Sequence, residues 1–132
     1  MTPTRLGIGW QIGVPSGWGV YGVNLALELA RRDITPEIFF SQPNIALTLE
    51  QARVLGPHLA RQPANLTRFK AGSVSLDAPM LHALGDQLDL PDQLATLSGK
   101  PDIGVVFFES AQIPAGNIDK AKRFAMIVAG SF

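Results

Sequence analysis

The segment from Leu6 to Phe40 constrains this chain most. An apolar run over Leu6–Ile12 is followed by the loop Gly13-Val14-Pro15-Ser16-Gly17-Trp18-Gly19, an amphipathic run ending at Arg31-Arg32, and a second apolar run. Short apolar runs flanking a stretch with helical periodicity read as strand, helix, strand. In such a βαβ unit the glycine-rich loop joins the first strand to the helix, and it gathers bare backbone N–H groups and a helix N-terminus at the edge of a sheet. That edge is expected to hold an anion or a polar ligand.

A length of 132 residues predicts a single domain over 1–132, large enough to bury roughly two-thirds of its unfolded surface. Eleven basic against eleven acidic residues give a formal net charge of zero. No global field is therefore available to hold nucleic acid or an anionic membrane, and a ligand must be gripped locally. The absence of cysteine excludes disulfides, thiolate zinc sites and thiol catalysis and suits a reducing interior, so a cytoplasmic location is expected. No apolar stretch approaches the roughly 18 residues of a spanning helix, so no integral membrane segment is expected. The N-terminal segment is interrupted by Gly7, Gly9, Gln11 and Gly13 and does not read as a signal peptide.

Along the first helix, Val20, Val23, Leu27 and Ala30 share one predicted face and Asn24, Glu28 and Arg31 another, with Glu28 and Arg32 placed to pair. Asp33 ends this helix, Ile34–Phe40 is the second strand, and Ser41-Gln42-Pro43-Asn44 is a turn. Thr48 and Gln51 form a capping box for a helix running to Leu55, where Gly56-Pro57 stops or kinks it. Leu66–Phe69 reads as a short strand, Pro79–Leu84 as a buried strand, and Pro91 as the first turn of a short helix ending at Leu97. Ile103–Phe108 has the unbroken apolar character of a central parallel strand, and Phe124–Ala129 repeats it after a short polar helix over Asn117–Lys122. The fold class is therefore α/β, a Rossmann-like three-layer sandwich with a mostly parallel sheet.

Ligands of such sheets bind beyond the carboxyl ends of the strands. Four places qualify: the loop after Ile12, Ser41–Asn44, His82–Asp86, and Glu109-Ser110. Within the first, Gly17-Trp18-Gly19-Val20-Tyr21-Gly22 matches the spacing G-x-G-x-x-G of dinucleotide sites, but Pro15 and its neighbours separate it from the strand, and the second strand ends at Ser41 instead of an acid. Trp18 either stacks on a sugar ring or anchors the loop. Tyr21 offers its hydroxyl to the cleft or packs beneath the loop, and Trp10 belongs to the core. His82 is placed near a strand's carboxyl end to bond a ligand's hydroxyls, or is a buried histidine satisfied by backbone, whereas His58 is structural or solvated. Glu109 directly follows an apolar strand, where its carboxylate bonds hydroxyls, acts as a base, or caps the backbone. Asp77, Asp86, Asp89 and Asp92 read as turn and cap residues, and no metal is expected.

The series Ile8-Gly9-Trp10-Gln11, Gly17-Trp18-Gly19-Val20-Tyr21 and Asn24 through Leu29-Ala30-Arg31-Arg32 resembles the opening of family-four glycosyltransferases of the GT-B fold. Phe107-Phe108-Glu109 and the closing Phe124–Ser131 are similar to the same N-terminal domain. The resemblance implies a two-domain enzyme that moves a sugar from a nucleotide-sugar donor to an acceptor held mainly by this half. It implies that Gly17 and Gly19 lie near the donor phosphates and the transferred sugar; beside them, Trp18 and Tyr21 are expected to contact the sugar or acceptor, and His82 and Glu109 to take catalytic roles. The nucleotide-sugar is a substrate, and no further cofactor is implied.

The family's chain continues into a donor-binding domain for which Phe132 leaves no counterpart here, so the chain is expected to be half of a transferase, completed by a longer product or a partner half and inactive alone. Two alternatives stand beside this. One is a flavodoxin-like or Rossmann-like module that cradles a nucleotide or phosphate without transfer chemistry. The other is an interaction domain in which Ile103–Phe108 or the final strand completes a partner's surface.

Overall fold

A computed structural model describes residues 4–85, 88–107 and 112–130. The elements are β1 (Thr4–Ile8), α1 (Gly17–Arg31), β2 (Ile34–Ile38), α2 (Leu49–Leu59), α3 (Gln62–Ala71), β3 (Val74–Ser75), β4 (Met80–Leu84), a 3-10 turn (Asp92–Thr96), β5 (Leu97–Ser98), β6 (Asp102–Phe107), α4 (Ala115–Ala121) and β7 (Met126–Gly130). Five strands form one parallel sheet in the order β2-β1-β4-β6-β7, and β3 pairs with β5 in a small parallel ribbon. The sheet order reverses between β1 and β4, because the chain leaves β1 to one side for β2 and returns on the other for β4. The carboxyl ends of those two strands frame the crevice in which doubly wound folds take ligands.

Successive side chains of a strand face opposite sides, and the core follows that rule. Leu81 packs with Ile8, Leu27, Ile38 and Val105 under α1. Its neighbour Met80 packs with Phe39, Val74, Leu76 and Leu97 on the other face. Helices thus flank the sheet in the three-layer, Rossmann-like arrangement. No helix among the described residues is long and apolar enough to cross a membrane.

Several local expectations hold. The side chain of Ser16 caps α1, and Glu28 pairs with Arg32 at 2.8 Å. Asp33 breaks the helix with φ 61, a left-handed conformation that an aspartate tolerates better than most residues. Thr48 and Gln51 form the reciprocal capping box, with bonds of 3.1 and 3.0 Å.

Four expectations are corrected. The stretch Leu66–Phe69 is helix: α3 starts at Gln62 with Pro63 in its first turn, and it turns the polar Asn65 inward, where the amide donates to the carbonyl of Ile38 at 3.0 Å. A polar residue on the inner face hides the apolar periodicity. Pro57 does not stop α2, which continues to Leu59. The inner face of α1 is Gly22, Ala26, Leu27 and Leu29, while Val20 is exposed. Finally, β7 is not a covered central strand; it is the sheet's edge, and Met126, Ile127 and Val128 are exposed.

Candidate functional site

The glycine-rich loop is tied back onto its own helix. Ser16 Oγ accepts the N–H of Gly19 at 3.2 Å, and the carbonyl of Gly19 accepts the N–H of Gly13 at 3.0 Å. Gly19 is buried against Val14, so closely that an added Cβ would strike the Val14 backbone. Its amide is consequently spent on the cap. Gly17 differs: it is exposed, and a Cβ there would meet nothing within 4 Å. It opens the first turn of α1, where helical N–H groups lack carbonyl partners and attract negative charge.

Trp18 and Tyr21 turn from this loop into an aromatic cluster with Trp10 and Phe107. Trp18 meets Trp10 edge-on at 5.2 Å and Phe107 at 5.0 Å, and Tyr21 lies 5.5 Å from Phe107. The indole N–H of Trp10 donates to the carbonyl of Trp18 at 3.0 Å. These contacts join the chain just past β1, the start of α1 and the end of β6 into one rim. Trp18 is therefore an anchor of the loop.

A cavity of about 430 Å³ opens beside Trp10, on the carboxyl side of β1 and β2. Gly9, Trp10 and Gln11 line it from the segment after β1, Phe40 and Ser41 from the segment after β2, Gln62, Leu66 and Phe69 from α3, and Leu94 from the 3-10 turn. Phe40 and Phe69 stand perpendicular at 5.0 Å. Gln62 donates to the carbonyl of Phe39 at 2.8 Å, which fixes its amide and leaves its oxygen as an acceptor. Gln11 reaches Gln42 at 3.4 Å. Ser41 and Gln62 also border a neighbouring cavity of about 610 Å³ lined by Gln42, Pro43, Asn44 and Ile45. The two cavities share Ser41 and Gln62 as one groove, and among the described residues its lining carries aromatic faces, amides and a hydroxyl but no ionisable side chain.

His82 lies apart from this groove's polar lining. It is buried in mid-β4, and Nε2 stands 2.7 Å from Asp102 Oδ1 at the start of β6. A carboxylate can only accept, so Nε2–H donates. The same oxygen accepts the N–H of Gly99 at 2.8 Å, and Arg123 approaches the other carboxylate oxygen at 3.6 Å. Burial lowers the imidazole's pKa from its ordinary value; the hydrogen bond and charge of Asp102 oppose this, and Arg123 reinforces it. His58, on α2, is partly exposed beside Arg61 at 3.2 Å, and burial followed by the Arg61 charge lowers its pKa also.

No protein-family model, curated protein or solved structure matches this chain. Trp18 and Tyr21 meet in the aromatic cluster with Trp10, the member that lines the groove, while Gly17 and Gly19 stay at the start of α1 and His82 sits in a separate buried network. Glu109, Ser110 and Asp86 lie outside the described residues. Among the described residues, no group of three or more His, Asp or Glu gathers as metal ligands. Sequence reasoning pointed to the loop after Ile12 and to Ser41, but it missed Gln62 and Phe69. Both sit on α3, and only the helical i, i+4, i+7 spacing of Gln62, Leu66 and Phe69 on one side signals their shared surface.

Proposed function

We propose that this chain is the acceptor-side lobe of a GT-B glycosyltransferase, with the neutral groove holding a polyhydroxylated acceptor while a companion lobe grips the nucleotide-sugar donor. One observation carries the reading: among the described residues, the groove at the sheet's carboxyl edge offers aromatic faces and neutral hydrogen-bonding groups without a charge. Such a lining suits the C–H faces and hydroxyls of a saccharide. It does not suit a free phosphate, which would call for cations or several converging amides. The parallel sheet and the loop at the start of α1 support the same assignment, since the resemblance to family-four enzymes requires both.

In this reading an acceptor hydroxyl forms the new bond to the donor's anomeric carbon as the bond to the nucleoside diphosphate breaks, and the hydroxyl proton passes to the departing diphosphate. The lobe contributes positioning, which sets the reacting atoms in line. The exposed first turn at Gly17 faces the negative charge that develops on the departing diphosphate. The absence of cysteine accords with action in the cytoplasm.

Binding is read directly, because Trp10 and Trp18 are the only two tryptophans and one of them lines the groove. The 132-residue chain is titrated with a panel of neutral mono- and disaccharides, with sugar nucleotides, and with FMN and NAD while tryptophan emission is followed. A saturable change with a neutral saccharide at millimolar concentration, about −4 kcal/mol, is expected, and Gln62→Leu should abolish it. Tighter binding of FMN or NAD than of any saccharide would replace this assignment with a nucleotide-binding module.

A further inference from the structure

The groove beside Trp10 has two parts of different character. In the first, of about 430 Å³, the lining is mainly apolar: Phe40 and Phe69 make a perpendicular corner, joined by Leu66 and Leu94. The second, of about 610 Å³, adds the amides of Gln42 and Asn44 to the apolar Ile45, Leu47 and Leu59. Ser41 and Gln62 belong to both, so the junction between the parts carries a hydroxyl and an amide. Each part alone falls in the size range of a small-molecule site, about 300–1,000 Å³.

Both sides of the junction are fixed. Ile12 N–H donates to the carbonyl of Phe40 at 3.2 Å and Gln42 N–H to the carbonyl of Ile12 at 3.0 Å, which holds the segment around Ser41 beside the loop. On the other side, Gln62 and, one turn further along α3, Asn65 donate to the carbonyls of Phe39 and Ile38 at 2.8 and 3.0 Å. Gln11 from the first part meets Gln42 from the second at 3.4 Å. A ligand spanning the two parts therefore meets polar groups that are already in place.

We infer, building on the saccharide reading, that the groove takes two consecutive neutral sugar rings of the acceptor, one at the Phe40–Phe69 corner and one beside Gln42 and Asn44. A sugar ring packs its C–H face on aromatic carbon, but each hydroxyl taken from water needs a new partner. At the corner those partners are Gln11, Ser41 and Gln62, and the last two stand at the junction, where the hydroxyls flanking a glycosidic linkage come to lie. The second ring's hydroxyls find Gln42 and Asn44. A monosaccharide uses one part and leaves the partners in the other to water. The ring at the corner lies beside Trp10, in the segment just past β1 and nearer the crevice between β1 and β4, so it is the ring that receives the transferred sugar.

The 132-residue chain is titrated by calorimetry with methyl glycosides of glucose, galactose and mannose, with the matching disaccharides and trisaccharides, and with phenyl and octyl glycosides. Two or three added neutral hydrogen bonds should make the best disaccharide about tenfold or more tighter than its methyl glycoside, and a third ring should add less than about twofold. Replacing Gln42→Ala together with Asn44→Ala should remove the disaccharide's advantage, whereas Phe69→Ala should weaken both ligands alike. Circular dichroism reports whether each variant is folded, and saturation-transfer NMR on the parent chain, which depends on no variant, should show protons of both rings in contact. Disaccharides no tighter than methyl glycosides, a folded double variant that keeps the full advantage, a third ring that adds as much as the second, saturation confined to one ring, or a phenyl or octyl glycoside tighter than every disaccharide would each overturn the two-ring inference and leave the saccharide reading standing. Failure of every saccharide to bind would overturn that reading itself.

Discussion

His82 is the residue whose chemistry the fold alters most. It is buried with Nε2–H committed to Asp102, and burial lowers its pKa from the ordinary value. The unfolded chain takes up a proton near pH 6.5, at which the folded imidazole stays neutral. Stability is therefore unaffected by this group above about pH 6.5 and falls as the pH drops from there through the folded pKa, because the unfolded state then binds more protons. His58 shifts in the same direction and adds to the slope. Urea midpoints should fall between pH 7.5 and 5, and His82→Gln should flatten that decline even where it lowers stability overall. A parent chain equally stable at both pH values would contradict the assignment. His82 was legible as a histidine on an apolar strand, but its partner was not. Asp102 lies 20 residues on, and only the β4–β6 register brings the two together.

At the scale of the element, the loop and α1 were the most legible part of the chain. The change from strand-length apolar runs to helical periodicity occurs within one short glycine-rich stretch, and Ser16 is a preferred N-cap. The two glycines there have different reasons to be glycine. Gly19→Ala drives a methyl group into the Val14 backbone, which cannot swing aside as a side chain would, and should cost about 2 kcal/mol or more in chemical denaturation. Gly17→Ala meets open space and should be neutral or stabilising by up to about 1 kcal/mol. Equal effects at the two positions would mean that the loop does not pack as described. The later elements were harder to read because local rules yielded to packing. Asn65 replaces an apolar residue on the inner face of α3, and α2 accommodates Pro57 near its end. The edge position of β7 is invisible in its composition, since Met126–Gly130 reads like the covered β6 and only strand order separates them.

The whole molecule rests on two apolar clusters divided by one sheet, the first containing Leu27 and the second Leu97. Both side chains are almost wholly buried, so Leu27→Ala and Leu97→Ala should each cost about 2–5 kcal/mol. If the strands bind the two faces into one cooperative unit, far-ultraviolet dichroism and tryptophan emission will lose structure together in both variants. Separate transitions in Leu97→Ala would show that the second face opens independently of the tryptophan side. Parallel order was readable from buried runs alternating with helices, and the carboxyl edge follows from it as the place where a groove is sought. The groove itself was only half visible, because its far wall belongs to the helix that was read as a strand. The Trp10–Trp18–Phe107 wedge has a further consequence for that groove. On the saccharide reading, Trp10, which the wedge holds at the groove, stands in position before any guest arrives, so discrimination among guests would rest on a contour built during folding instead of on a gate that shuts behind them.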